Sequence, residues 1–152
     1  MDPKTGLIKT DTLTGGNWDG MDLKDLVRLE LEAHSSRSDQ NIITHGPELR
    51  LSATEAQAMS MALHELATNA AKHGALSAEN GQLRLTWKYN ESGFEFEWVE
   101  SGATGLREPE TLGFGSMLLM KLLTSQLNGE AVREFRPDGF YYRISISTRN
   151  SW

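Results

Sequence analysis

The fold class this sequence predicts is a two-layer α/β sandwich, with a mixed, mostly antiparallel sheet packed on about three helices. Three observations carry that expectation. A Leu- and Ala-rich run from about Ala53 to His73 has helix punctuation at both ends. Two pairs of alternating segments read as antiparallel hairpins. The hairpins alternate with helices in an order that does not suit a doubly wound parallel sheet.

Residues 1 to 20 are rich in Gly, Thr and Asp, show no period, and are expected to form a leader segment of loop. The remainder, 21–152, is expected to be a single domain, and no repeat or linker divides it. In "DLKDLVRLELEA", residues 22 to 33, Leu23, Leu26, Val27, Leu29 or Glu30, and Leu31 recur near helical spacing. "HSSRSDQ" is a polar loop, and "NIITHGPELRLS" reads as two short strand pieces around a Gly-Pro turn. Ser52 and Glu55 make the S-x-x-E pattern of a capping box, the long helix follows, and Gly74 stands where it should stop.

"GQLRLTWKY" alternates through Leu83, Leu85, Trp87 and Tyr89, and "FEFEWVE" through Phe94, Phe96 and Trp98, with "NESG" as the turn between them. "SGATGLREPETLGFG" is a Gly-rich loop. "SMLLMKLLTSQLN" is expected to be a helix closed by Gly129. "EAVREFR", the turn "PDG" and "FYYRISIS" complete a second hairpin, with Phe140, Tyr142, Ile144 and Ile146 on one face.

Composition excludes several function classes. Of 152 residues, 38% are hydrophobic and 24% charged, which argues against disorder. The net charge of −6 disfavours nucleic-acid or anionic-membrane partners, whose phosphates attract basic surfaces. With no cysteine, disulfides, thiolate zinc sites and thiol nucleophiles are ruled out. No apolar run approaches the roughly 20 residues that cross a bilayer, and "MDPKTGLIKT" lacks a signal-peptide core. A cytoplasmic location is expected.

The long helix carries the first functional constellation. Glu65, Asn69, Lys72 and His73 fall within about a quarter turn of one another at about 100° per residue. An amide oxygen such as that of Asn69 is a hard ligand that can join phosphate oxygens around Mg2+. A carboxylate one turn earlier can hold a metal-bound water or accept a proton, and a lysine one turn later can neutralise phosphate. The alternative is a solvated helix face. His64 lies about 100° from Glu65, where a structural role at the core margin competes with a ligand role.

Two further constellations follow. Trp98 and Glu100 point to the same face of a strand that ends in Ser101-Gly102. A strand-end carboxylate can accept from the exocyclic amine of adenine, and Gly102 permits close approach of a flat ring. The competing reading makes Trp98 core and Glu100 a surface acid. In "GFGSMLL", Gly113 and Gly115 precede a helix, where bare N–H groups bind phosphate well; a cap or tight turn is the other reading.

Taken in order, "LHELATNAAKHGALS", "WVE" and "GFGSMLL" resemble the nucleotide-binding boxes of the GHKL ATPase superfamily with its Bergerat fold. Within it they look like the HWE subfamily of sensor histidine kinases, marked by a His in the first box, here His64, and a Trp-x-Glu in the second, here Trp98 to Glu100. The likeness covers about residues 20 to 148. It implies an ATP-binding catalytic domain of a two-component system that transfers the γ-phosphate of Mg-ATP to a histidine.

The resemblance also implies roles. Asn69 would coordinate Mg2+, and Glu65 would act near the γ-phosphate. Lys72 and His73 would touch phosphate or ribose, while Glu100 would read adenine with Gly102 beneath the ring. Gly113, Phe114, Gly115, Ser116 and Met117 would line the phosphate loop. None of His34, His45, His64 and His73 has the "HRxKN"-like context of a phosphoacceptor. The expected partners are therefore ATP or ADP, an acceptor domain elsewhere in the same or another chain, and indirectly a response regulator. Rival readings are another GHKL enzyme, such as an anti-sigma-factor serine kinase, and a non-catalytic nucleotide-binding docking module.

Overall fold

The computed structural model describes residues 20–34, 41–103 and 118–147. Residues 1–19 of the expected leader segment and Gly113 to Met117 of the expected phosphate loop lie outside the described residues.

Helix α1 spans Leu23–His34. Asp22 starts it by accepting the Lys24 amide at Oδ2 (3.0 Å), and its Oδ1 accepts the Leu49 amide (3.1 Å). One side chain thus caps the helix and pins it to the segment before α2. Leu23, Leu26, Val27 and Leu31 form the buried stripe, while Leu29 is 57% exposed and falls outside it.

Strand β1 is Ile42–His45. The second strand piece expected near residues 48–52 does not form. That stretch makes only an isolated antiparallel bridge between Asp22 and Arg50. Its hydrogen bonds go to residues 21–23 instead: Leu23 N–H to the Leu49 carbonyl and Leu51 N–H to the Met21 carbonyl, both at 2.9 Å. The Gly-Pro turn is held by Trp87, whose indole donates to the Pro47 carbonyl at 2.8 Å.

Helix α2, Ala53–His73, has the capping box its sequence announces. The Glu55 amide donates to Ser52 Oγ (3.1 Å) and the Ser52 amide donates to Glu55 Oε1 (2.9 Å). Gly74 ends the helix, with its N–H on the Ala70 carbonyl. Met59, Leu63 and Leu66 are buried together with Ala56, Ala58, Ala62, Ala67 and Ala70, so small residues let the helix lie close to its neighbours.

Strands β2 (Gln82–Asn90) and β3 (Gly93–Ser101) form the first hairpin. Its turn is fastened by Asn90 Oδ1, which accepts from the Ser92 amide and hydroxyl, both at 2.9 Å. A π-helical turn, Leu118–Leu122, runs into the short helix α3, Leu123–Leu127. The expected closing glycine is corrected here. Asn128 is the residue in the left-handed region (φ 53°), and Gly129 already belongs to β4. Asn128 suits that place because its side-chain amide donates to the Ser147 carbonyl (3.0 Å) while its own carbonyl accepts the Ser147 N–H (3.2 Å). Strands β4 (Gly129–Arg136) and β5 (Gly139–Ile146) make the second hairpin.

The sheet order is β1-β2-β3-β5-β4; β1 and β2 are parallel and the other pairs antiparallel. Cross-strand rows Leu85–Trp98–Tyr142 and Trp87–Phe96–Ile144 cover its inner face. All six are buried, and they form one core with α1, α2 and the Leu119 and Leu127 side chains. The sandwich expected from the sequence is the one observed: an open mixed sheet with helices packed against one face.

Candidate functional site

The exposed edge of α2 carries the first group of residues. Glu65 and Asn69 meet there, Asn69 Nδ2 donating to Glu65 Oε2 at 3.1 Å. Because the amide nitrogen faces Glu65, the amide oxygen is the acceptor turned away from it. Lys72 and His73 follow in the last turn, both exposed.

His64 does not join that edge. Its Nδ1 lies 3.6 Å from Glu30 Oε1 on α1. Glu30 Oε2 also accepts the Ser60 hydroxyl at 3.3 Å, so this carboxylate links α1 to α2. Of the two roles open to His64, the structural one has a partner in place.

Glu100 is not a surface acid. It is 4% exposed, on the inner face near the end of β3, opposite Leu83 and Phe140. Trp98 donates its indole N–H to Glu100 Oε2 at 2.8 Å, and the Ala75 amide donates to Oε1 at 3.0 Å. Burial pushes the Glu100 carboxyl above its ordinary range, and the bonds from Ala75 and Trp98 act against that rise. Since Ala75 is two residues beyond His73, the strand-end carboxylate and the end of α2 are drawn together.

Gly102 has φ +79°, and an added Cβ would stand 2.2 Å from the Asn80 carbonyl oxygen. Backbone packing alone therefore requires glycine here. A separate hollow of about 160 Å³ opens at the other end of the β2–β3 hairpin, among Lys88, Tyr89, Ser92 and Ser147, and none of the sequence-predicted site residues lines it. Among the described residues no three His, Cys, Asp or Glu side chains cluster as metal ligands.

Sequence reasoning missed three contributors. Gly74 was legible as a helix stop but not as a neighbour of Glu100. Ala75 carried no signal, because its contribution is a main-chain amide. Tyr142 donates its hydroxyl to the Leu119 carbonyl at 2.8 Å, tying β5 to the π-turn. A tyrosine on the inward row of a strand is itself a hint of such a bond, since a buried hydroxyl needs a partner.

This geometry can be set beside known proteins. No protein-family model matches the chain. Over 133 residues it is 37% identical to a blue-light-activated histidine kinase of Brucella anthropi, which covers 85% of this chain and 27% of that protein. The same-named protein of Brucella ovis is 35% identical over 133 residues, with the same coverage of both chains. The chain belongs to the HWE, GHKL-type group of sensor histidine kinases.

Solved structures agree on the fold. The histidine kinase domain of the Erythrobacter litoralis EL346 blue-light-activated histidine kinase superposes with a TM-score of 0.73 at 16% identity, covering 93% of this chain and 70% of that one. The catalytic domain of histidine kinase ThkA gives 0.64 at 18% identity, covering 84% and 94%. ThkA is also solved in complex with the response regulator protein TrrA. The chain spans about a quarter of the length of the curated relatives it matches. No described helix is long and apolar enough to cross a membrane.

Proposed function

We propose that residues 21–152 form one catalytic and ATP-binding domain. It binds Mg-ATP and passes the γ-phosphate to a histidine of an acceptor domain in the same or another chain. The observation that carries this reading is the Glu65–Asn69 pair on the open edge of α2, on the same helix whose end meets the buried Glu100 carboxylate.

The donor set suits the proposed ligands. Asn69, with its amide oxygen turned away from Glu65, is the proposed Mg2+ ligand beside phosphate oxygens, a hard-oxygen environment that magnesium favours. Bound magnesium would screen phosphate charge. Lys72 and His73 are the proposed phosphate or ribose contacts, and Glu100 the acceptor for the adenine amine. Gly113, Phe114, Gly115, Ser116 and Met117 are proposed to supply the phosphate loop.

In the transfer step, an imidazole nitrogen of the acceptor attacks the γ-phosphorus. The new P–N bond forms as the bridging P–O bond to ADP breaks. The other imidazole N–H proton is then lost, with Glu65 as its proposed acceptor. Imidazole is already a good nucleophile, so this chain's residues act mainly by positioning and neutralising charge. We further propose a cytoplasmic location and, by analogy with the ThkA–TrrA complex, a response regulator as the downstream partner.

Calorimetry of the chain with ATP or ADP, with and without magnesium, tests the binding. Incubation with Mg-ATP and a separate acceptor domain tests the transfer. Micromolar, magnesium-dependent binding and an acid-labile phosphoprotein are expected. An acid-stable product would indicate a serine kinase, and binding without transfer a docking module.

A further inference from the structure

Three features around Glu100 have no explanation in the core or the helix end alone. Trp98 is fully buried, like Phe96 on the same face of β3, yet carries an N–H that an apolar core cannot satisfy; that N–H goes to Glu100. Past the end of α2, the amides of Gly74 and Leu76 both donate to the Ala70 carbonyl. The amide between them, that of Ala75, turns instead to Glu100. Finally, Gly74 has φ −120°, outside the left-handed region that calls for glycine. A Cβ on Gly74, however, would stand 2.2 Å from Glu100 Oε1. The contact with the Ala70 Cα, at 3.2 Å, is the looser one, so the room that glycine leaves goes chiefly to the carboxylate.

We infer that Trp98, Gly74 and Ala75 form a socket that locks the direction of the Glu100 carboxylate, making Trp98 and Gly74 positioning residues for nucleobase selectivity. The inference rests on the nucleotide reading above. A carboxylate has about four acceptor positions. With one N–H on each oxygen, two are used and the directions of the others are set. A fixed acceptor welcomes the amino group of adenine and repels the carbonyl that guanine carries at the same ring position. A carboxylate free to swivel can turn away from that carbonyl, so the discrimination falls.

The test is calorimetric titration of the whole chain with Mg-ATP and Mg-GTP, with thermal melts to confirm folding. Trp98→Phe keeps an aromatic ring and removes the donor. It is expected to cut the ATP-over-GTP preference by about tenfold, while the Glu100 carboxylate is still present.

Because Trp98 is buried and its replacement can disturb the core, Gly74→Ala in two backgrounds provides an independent measurement. In the parent it should weaken ATP binding by about tenfold. On Glu100→Asp, where the shorter acid withdraws from the added methyl, it should cost less than about threefold. A preference within about twofold of the parent's in both folded variants, or an equal Gly74→Ala cost in both backgrounds, overturns the socket while leaving the nucleotide reading intact. Failure of the parent to bind either nucleotide removes the nucleotide reading and the socket with it.

Discussion

Asn69 donates to Glu65 at 3.1 Å, so the side chain proposed to hold the metal is oriented by the one proposed to take the proton. Binding and transfer should therefore separate only when this contact survives. Glu65→Gln keeps an oxygen for the Asn69 amide. It should leave the Mg-ATP affinity within about threefold and slow transfer by about a hundredfold or more. Asn69→Ala should weaken magnesium-dependent binding by about tenfold to a hundredfold. Calorimetry and single-turnover transfer to an acceptor domain measure the two effects. Equal affinity of Asn69→Ala and the parent for Mg-ATP would remove Asn69 from the site.

The His64 side chain is 64% exposed and faces Glu30 rather than the Glu65–Asn69 edge. Its replacement should therefore act on the packing of α1 against α2. His64→Ala is expected to lower stability by no more than about 1 kcal/mol, as for other exposed polar contacts. The affinity for Mg-ATP should stay within about twofold. Loss of nucleotide binding in a variant with an unchanged melting curve would give His64 a direct role at the ligand.

Glu100 also predicts a pH dependence of stability. Burial raises its carboxyl pKa in the folded chain above the unfolded value. The folded state then holds the proton more tightly. The contribution of this group to stability is complete below the unfolded value and is lost as pH rises through the folded one. Glu100→Gln has no proton to lose. Relative to the parent, its stability should climb as pH rises from the ordinary carboxylate range toward neutrality. Urea denaturation of both chains across that range measures the difference. A difference that does not change with pH contradicts a raised Glu100.

Much of this fold was legible because its signals are local. Ser52 and Glu55 are three residues apart and cap each other, and the alternation of Leu83, Leu85 and Trp87 marks which face is buried. The parts that were not legible depend on contacts between distant segments. The run 48–52 has strand-like composition, but residues 21–23 take its hydrogen bonds. Asn128 rather than Gly129 adopts the left-handed conformation because Ser147, far along the chain, holds it. At the site, residue types and spacing pointed to Glu65, Asn69 and Glu100. Only coordinates bring Ala75 and Gly74 against Glu100, since one contributes a backbone amide and the other an absence of side chain. Gly102 was expected to make room for a base, yet its positive φ and the nearby Asn80 carbonyl already demand glycine.

The capping box offers a prediction free of the ligand. Ser52→Ala removes the acceptor of the Glu55 amide at the start of α2. Such a loss costs about 1 kcal/mol, which for a domain of this size lowers the melting temperature by about 2 to 4 °C. The cap lies at the opposite end of α2 from Lys72 and His73, so the affinity for Mg-ATP at a temperature where both chains are folded should be unchanged. Calorimetric melting and titration of the same samples give both numbers. An unaltered melting temperature would mean that Glu55 finds an equivalent partner.

Tyr142 connects the sheet to the segment that follows the proposed phosphate loop. Its hydroxyl is buried, burial pushes its pKa far above the usual tyrosine range, and it therefore stays protonated as a donor to Leu119. Tyr142→Phe leaves the ring but strips the Leu119 carbonyl of this donor. An unsatisfied buried acceptor costs about 1 to 3 kcal/mol. The loss should be felt first in the π-turn Leu118–Leu122, where the ladder of helical bonds is already irregular. Hydrogen exchange is the suitable measurement. Amides of the π-turn should exchange faster in the variant, while those in the middle of α2 keep protection in proportion to global stability. Equal acceleration in both places would mean that the Tyr142 hydroxyl supports the domain as a whole and does not specifically anchor the π-turn.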